Sequence, residues 1–399
     1  MVPRTDTRAQ VVQIGAVLLF AALILAITGY QATVVPDQNA EVELSHSDQV
    51  QSGMVELRNA IVSPDSRTQR DVTIPLGTQY PERTLFINPP PPSGQLETIR
   101  GKMNVSNVTV AGEAGDYWGS SRTFSTGLIR YQPNYNELDD PATTVIEGSL
   151  VYNRFENTER TVAEPTFIDG TSISLVALQG SVSASTSGSE RISVYTGRQS
   201  TRTVSATGEA AGENVTVSLP TLRSESDWAQ YLDAADHVSD WSVTQTPGAS
   251  YGTLEIVFER LDESGQPIEY DLSVAEVGVG EEVGSTGAAY VTPVGSDGET
   301  VQSGRMADIS FEVRGEYDDP IAGQRVHLSV VDGQGTLIGD DGRGQTVAAT
   351  TDVEGRVEVA YVAGEDETGE VTIGASVSTT PPVGGPFYEA TATIAPRTL

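Results

Sequence analysis

Hydrophobic and polar positions follow three regimes along the chain. Residues 11–30 (VVQIGAVLLFAALILAITGY) are almost unbroken apolar from Val11 to Tyr30, with Gln13 and Thr28 as the polar interruptions. An α-helix of that length spans roughly 30 Å, the thickness of a bilayer's hydrocarbon core. Pro36 is predicted to end this helix, because proline has no N–H for the helical ladder. Over residues 48–62, Val50, Met54, Leu57 and Ile61 recur at spacings of four, three and four. That spacing marks one stripe of a short amphipathic helix, closed by Ser63 and Pro64. His46 lies just before it without a metal-ligating neighbour and reads as a solvated or capping residue.

Beyond Pro64 the pattern turns to short runs with alternating or mixed apolar character. Runs at residues 103–110, 127–131, 145–152, 173–178, 191–194 and 214–219 are punctuated by Gly, Ser, Asn and Asp. They predict a sandwich or barrel of antiparallel strands. The four prolines at 89–92 form a stiff polyproline segment between early strands. Residues 224–233 (SESDWAQYLD) carry capping residues and early acids, a helix signature. Residues 253–261 and 268–277 are predicted to pair as a hairpin around Asp262 and Gly265. The glycine- and acid-rich stretch 278–287 reads as a domain boundary. The expected fold class is mainly β: a transmembrane helix, a short amphipathic helix, a β-sandwich-like domain and a C-terminal Ig-like β-sandwich. The expected divisions are a cytoplasmic terminus (1–10), the transmembrane helix (11–30), a stalk (31–66), a first extracellular β domain (67–283) and the Ig-like domain (284–399).

The C-terminal part holds DDPIAGQRVHLSVVDGQGTL, TTDVEGRVEVAYVAG and GEVTIGASV in that order. The residues Pro320, Ile321 and Gly323, then Gly333, Gly335, Thr336 and Leu337, then Thr351, Asp352 and Gly355, then Tyr361, Ala363 and Gly364 resemble bacterial Ig-like domains of the invasin and intimin type. The resemblance implies a β-sandwich used as a spacer or adhesive module, with no catalytic residues to carry over. Val326, Leu328 and Val330 alternate as one buried face, and Val357, Val359 and Tyr361 do the same. Residues 379–386 (TTPPVGGP) depart from that family's short turn.

Composition adds the medium. With 23 Lys and Arg against 55 Asp and Glu, the formal net charge is −32, and Lys102 is the sole lysine. Nucleic acid is excluded as a partner by the lack of clustered cations. Such charge repels itself in dilute buffer but is screened within roughly 3 Å at 1 M salt, so the composition points to a very salty medium. Segments such as TQYPERTLFINPPPPSG resemble uncharacterised haloarchaeal membrane-anchored surface proteins. With no cysteine in the sequence, disulfides, thiol nucleophiles and Cys-type zinc sites are absent.

Arg4 and Arg8 precede the apolar run, whereas Asp37, Glu41 and Glu43 follow it. The positive-inside rule then places the N-terminus in the cytoplasm and the bulk of the chain outside. A cleaved secretory signal is the alternative, although the segment is long for one. A third reading starts from Arg8 and Ala9, which resemble the processing site of archaeal type IV pilin-like precursors. Cleavage would fall between Ala9 and Gln10 and leave the helix on the mature protein. Ile14 stands where many pilins carry glutamate.

Candidate chemistry is sparse. Gly248-Ala-Ser250-Tyr-Gly252 fits a nucleophile elbow, but a strand pattern follows it where a helix is required, and its base would have to be His327. Gly333 to Gly339 has the wrong final spacing for a dinucleotide loop. His237 and His327 stand alone, and Asp318-Asp319 and Asp340-Asp341 read as solvated turns. No catalytic, cofactor-binding or metal-binding residue is assigned. Asn104, Asn107 and Asn214 open N-x-[ST] sequons, which are candidate glycosylation sites. The expected function is a single-pass surface structural or adhesion protein of a halophile. Its expected partners are membrane lipid through residues 11–30, envelope or S-layer proteins, and a second copy of itself. A pilin-like filament subunit and, more remotely, an envelope hydrolase are the alternatives.

Overall fold

The computed structural model describes residues 7–63, 69–198, 204–208, 212–245, 247–283, 287–295, 302, 304–365, 367–377 and 389–394. The chain opens in one helix, Thr7–Val62, which passes through Pro36 unbroken. The two helices expected on either side of that proline are therefore one. An interior proline removes one ladder bond and costs about 3 kcal/mol. The following turns recover more than that. Val50, Met54, Leu57 and Ile61 are all buried, and each such side chain contributes about 1.5–3 kcal/mol.

The buried stripe runs Val35, Asn39, Glu43, His46, Val50, Met54, Leu57 and Ile61, spacings of three and four that keep one helix face against the protein. Only its apolar half was visible as a pattern. His46, expected in solvent, is 2% exposed.

The first β region comprises a seven-stranded and a nine-stranded sheet. Strands Ser93–Ser106 and Ser121–Asn134 pair antiparallel along their whole length. Since side chains alternate across a strand, the two faces of this pair serve different cores. Leu96, Ile129 and Tyr131 join the helix residues, Ile74 and Val194. Met103, Val105 and Phe124 join Trp228, Ile256 and Tyr270 on the other side. Neighbouring strands Thr143–Glu147 and Leu150–Arg154 are buried on both faces, with Ile146 and Val151 toward the helix and Val145 and Tyr152 away from it. That explains their mixed apolar runs.

The hairpin expected from 253–261 and 268–277 is not a strand pair. Gly252–Phe258 lies between Thr216–Thr221 and Val238–Gln245 in the nine-stranded sheet. Tyr270–Val279 belongs to the seven-stranded sheet, where it runs parallel to Ser172–Gly180. The turn itself forms, with Asp262 Oδ1 accepting the amides of Ser264 and Gln266, each at 2.8 Å. It crosses from one sheet to the other, so Leu254 and Phe258 meet Tyr270 and Leu272 through the core. The predicted short helix is present as Glu225–Leu232, and the amide and hydroxyl of Ser224 donate to the Asp227 carboxylate.

Five- and four-stranded sheets form a second β-sandwich over residues 290–394. Val326, Leu328, Val357, Val359 and Tyr361 line its core with Phe311 and Ile373. Residues 379–386 lie outside the described residues. The glycine and tyrosine motifs of this region meet: a Cβ on Gly335 would sit 2.4 Å from the Tyr361 ring. The Tyr361 hydroxyl donates to Glu367 at 2.6 Å, so the ring has no room to retreat. Gly335→Ala is expected to destabilise the chain by about 1–3 kcal/mol, whereas Gly287→Ala, where the added methyl meets nothing within 4 Å, should leave thermal unfolding unchanged.

Candidate functional site

Residues 11–30 form the first candidate surface. The N-terminal helix is, among the described residues, the one helix long and apolar enough to cross a membrane. Up to Ile24 its large apolar side chains are exposed on every face, Val12 by 72% and Leu19 by 76%. A helix apolar on every face requires an apolar surrounding. Ala9 and Gln10 lie within the same helix; Arg4 is outside the described residues.

Where the helix enters the β region, Glu43 is fully buried. Its Oε1 accepts the Tyr80 hydroxyl and the Asn136 amide (2.8 Å); its Oε2 accepts the amides of Glu137 (3.0 Å) and Leu138 (2.6 Å). One carboxylate thus ties the helix to two separate loops. A turn later, His46 Nδ1 lies 2.7 Å from the Tyr135 hydroxyl. Burial pushes the His46 pKa down, against the Pro75 carbonyl and the Glu43 charge that favour protonation.

A second buried cluster lies on the other face of the sheet. Glu147 accepts from the Tyr152 hydroxyl at 2.7 Å, the Thr221 hydroxyl at 2.8 Å and the Leu222 amide at 2.6 Å. Burial pushes its pKa up despite these donors. Glu159 bridges Arg154 (2.6 Å) and the buried Arg223 (2.9 Å). The Arg223 guanidinium is ringed by Tyr152, Trp228 and Tyr231, with centroids 5.0, 5.3 and 5.5 Å away. A cavity of about 40 Å³ adjoins Glu147, Ser149, Phe167 and Trp228. Ligand pockets run to roughly 300–1,000 Å³, so this one has room for a water or two. The polar groups of this cluster mostly bond one another. A larger open groove, about 350 Å³, is lined by Arg100, Lys102, Ser125, Gln179 and Tyr251, with Lys102 and Ser125 paired across neighbouring strands.

Asp318 and Asp319, expected in a solvated turn, are buried between the two β regions. Tyr317 inserts into the first region's core, 5.5 Å from the Phe124 ring, and carries the aspartates in with it. Asp318, in the left-handed backbone region (φ 60°), accepts Trp118 Nε1 at 3.2 Å and the Tyr290 hydroxyl at 2.7 Å. Burial pushes its pKa up, against those two donors and the Arg314 and Arg122 charges. Asp340 and Asp341 do sit in a turn, where they accept the amides of Thr350 and Ala348, each at 2.9 Å.

The three sequons converge on one corner. Asn104 pairs in register with Ser218, next to the pairing of Ser106 with Thr216, and Asn107 Nδ2 lies 3.4 Å from the Thr216 hydroxyl of the Asn214 sequon. Asn104 Oδ1 is occupied by the hydroxyls of Ser121 and Thr123, each at 3.1 Å. Ser250 lies in the turn joining two antiparallel strands, Val238–Gln245 and Gly252–Phe258. His327 is on strand Arg325–Asp332 of the other β region. His237 approaches Glu259 at 3.4 Å. Among the described residues, no group of three or more His, Asp or Glu is placed to hold a metal ion.

No family model matches the chain. It is 25% identical over 359 residues to an uncharacterized protein of Archaeoglobus fulgidus, a match covering 88% of this chain and 58% of that protein. The chain therefore spans less than two thirds of the relative's length. Among solved structures it is similar to the D00-D0 domain of intimin, with TM-score 0.24 and 12% identity over 51% of this chain and 99% of that one. Domains 4 and 5 of the S-layer protein SbsC align with TM-score 0.21 and 11% identity over 40% of this chain and 77% of theirs. Yersinia pseudotuberculosis adhesin InvE aligns with TM-score 0.21 and 10% identity, covering 51% and 53% of the two chains. Scores this low carry no weight for function.

Replacing the carboxylate at the helix junction tests its role. Glu43→Gln turns one acceptor oxygen into a donor facing donors, and is expected to cost about 1–3 kcal/mol in urea unfolding and to speed hydrogen exchange at the amides of residues 136–138.

Proposed function

We propose that the chain is a membrane-anchored surface protein with a structural or adhesive role, held by residues 11–30 with its N-terminus in the cytoplasm and both β regions outside. One observation carries this reading: a fully exposed apolar helical segment is continuous with a helix half locked into a folded β region. The buried polar clusters support a non-catalytic role, since their groups are engaged in holding the fold. Envelope or S-layer proteins are the partners such an element would engage. The net charge of −32 fits an external medium near molar salt, where the screening length shrinks to roughly 3 Å.

The unbroken helix favours a second reading, a pilin-like filament subunit. The same apolar segment would then be covered by the helices of other copies. Processing between Ala9 and Gln10 would precede assembly.

The full chain is expected to float with phosphatidylcholine vesicles and to begin before Arg8 when its N-terminus is sequenced. Recovery in lipid-free sheared filaments with Gln10 as first residue would replace the anchor by the filament. Thermal unfolding measured from low salt to about 1 M KCl should rise steeply in midpoint; a flat response would remove the salt-adaptation reading.

A further inference from the structure

After Tyr80 the chain leaves the first β region and runs along the long helix toward its apolar end. The contacts mark the descent. Tyr80 bonds Glu43; Arg83 donates to Gln38 (2.6 Å) and Asn39 (3.2 Å); the Phe86 ring stacks on Tyr30, centroids 4.6 Å apart. From Glu43 to Tyr30 the helix falls by roughly 20 Å at 1.5 Å per residue. The chain then returns. Asn88 donates to the Pro81 carbonyl at 2.7 Å, and the Pro90 carbonyl accepts Asn136 Nδ2 at 3.0 Å. The stiff prolines at 89–92 carry it back to strand Ser93–Ser106.

At the lowest point Leu85 is 75% exposed and Ile87 81%. Isolated exposed side chains of this kind are ordinary on protein surfaces. Three features set these apart. They adjoin Tyr30, where the bare apolar helix begins. Residues 84–96 contain no charged side chain, in a chain that is 20% charged. The backbone of Ile87 is satisfied in both directions by the Gln31 amide: its N–H donates to Oε1 at 3.0 Å and its C=O accepts from Nε2 at 2.9 Å. A loop entering a poorly hydrated region needs its backbone groups paired in this way.

We propose that the tip at residues 85–87 is a second membrane contact. Leu85 and Ile87 enter the bilayer interface beside Tyr30, and Tyr30 with Phe86 forms an aromatic pair at the depth where such rings concentrate. The first β region is then braced above the lipid surface by the helix and the descending loop side by side. Asp37, the first acid after the span, falls roughly 10 Å further along the helix, among the headgroups. The proposal rests on the membrane reading of residues 11–30.

The sequence has no cysteine, so Leu85→Cys, Val17→Cys and Leu44→Cys each place one polarity-sensitive fluorophore on the full chain in phosphatidylcholine vesicles. The label at 85 is expected to emit to the blue of the label at 44. It should also be quenched several-fold more by a nitroxide on the lipid headgroup. Water-like emission at 85 together with lipid quenching at 17 would overturn the tip contact and leave the anchor standing. Absence of quenching at 17 by a nitroxide on the lipid acyl chain would overturn the anchor and the tip contact together. Shielding at 85 only in lipid-free assemblies would make the tip a contact between copies and overturn the lipid assignment.

Discussion

One helix supplies both the apolar segment and a wall of the first β region's core, and this continuity constrains the rest of the molecule. The stripe from Val35 to Ile61 is buried against the sheets, so the direction of residues 11–30 is set by packing and cannot vary as it would on a flexible linker. Pro36 does not relieve this. Its cost in the ladder is smaller than the burial that follows it. Any force on the apolar segment therefore reaches the β region through a stiff element.

The middle of that stripe is polar, and its polarity is what connects distant parts of the chain. An apolar residue at position 43 would pack but could not bond the Tyr80 hydroxyl and three successive amides of the 136–138 loop. The same logic recurs at Glu147, at Glu159 between two arginines, and at Asp318 between the β regions. Burying a carboxylate is costly unless donors surround it. At each of these places at least one donor comes from an element far away in sequence, so the carboxylate helps specify which segments meet. Such interior contacts are screened by dissolved salt far less than charges on the surface are.

The alternation of Val326 and Leu328 and of Val357 and Tyr361 was enough to read strands of the second sandwich, because one face is buried and the other is wet. The capping residues around Ser224 were enough for the short helix. Legibility failed where both faces or no apolar face carried the signal. Asn39, Glu43 and His46 continue a buried stripe in polar residues, so the helical period fades from view just where the packing begins. Asp318 and Asp319 read as a turn and do form one, but Tyr317 draws that turn into another core. Thr253 and Ile268 flank a good turn, yet the strands beyond it enter different sheets.

Local chemistry was thus sufficient for the apolar segment, the acidic surface, the absence of disulfides and the β character, because each depends on residue type and near-neighbour spacing. Partner choice was not readable in this way. Which strand lies beside which, which carboxylates are buried, and that the loop through Leu85 descends to the level of Tyr30 all depend on contacts across long stretches of chain. Those contacts are selected by the joint packing of many side chains and by the pairing of buried donors and acceptors, quantities that no single segment contains.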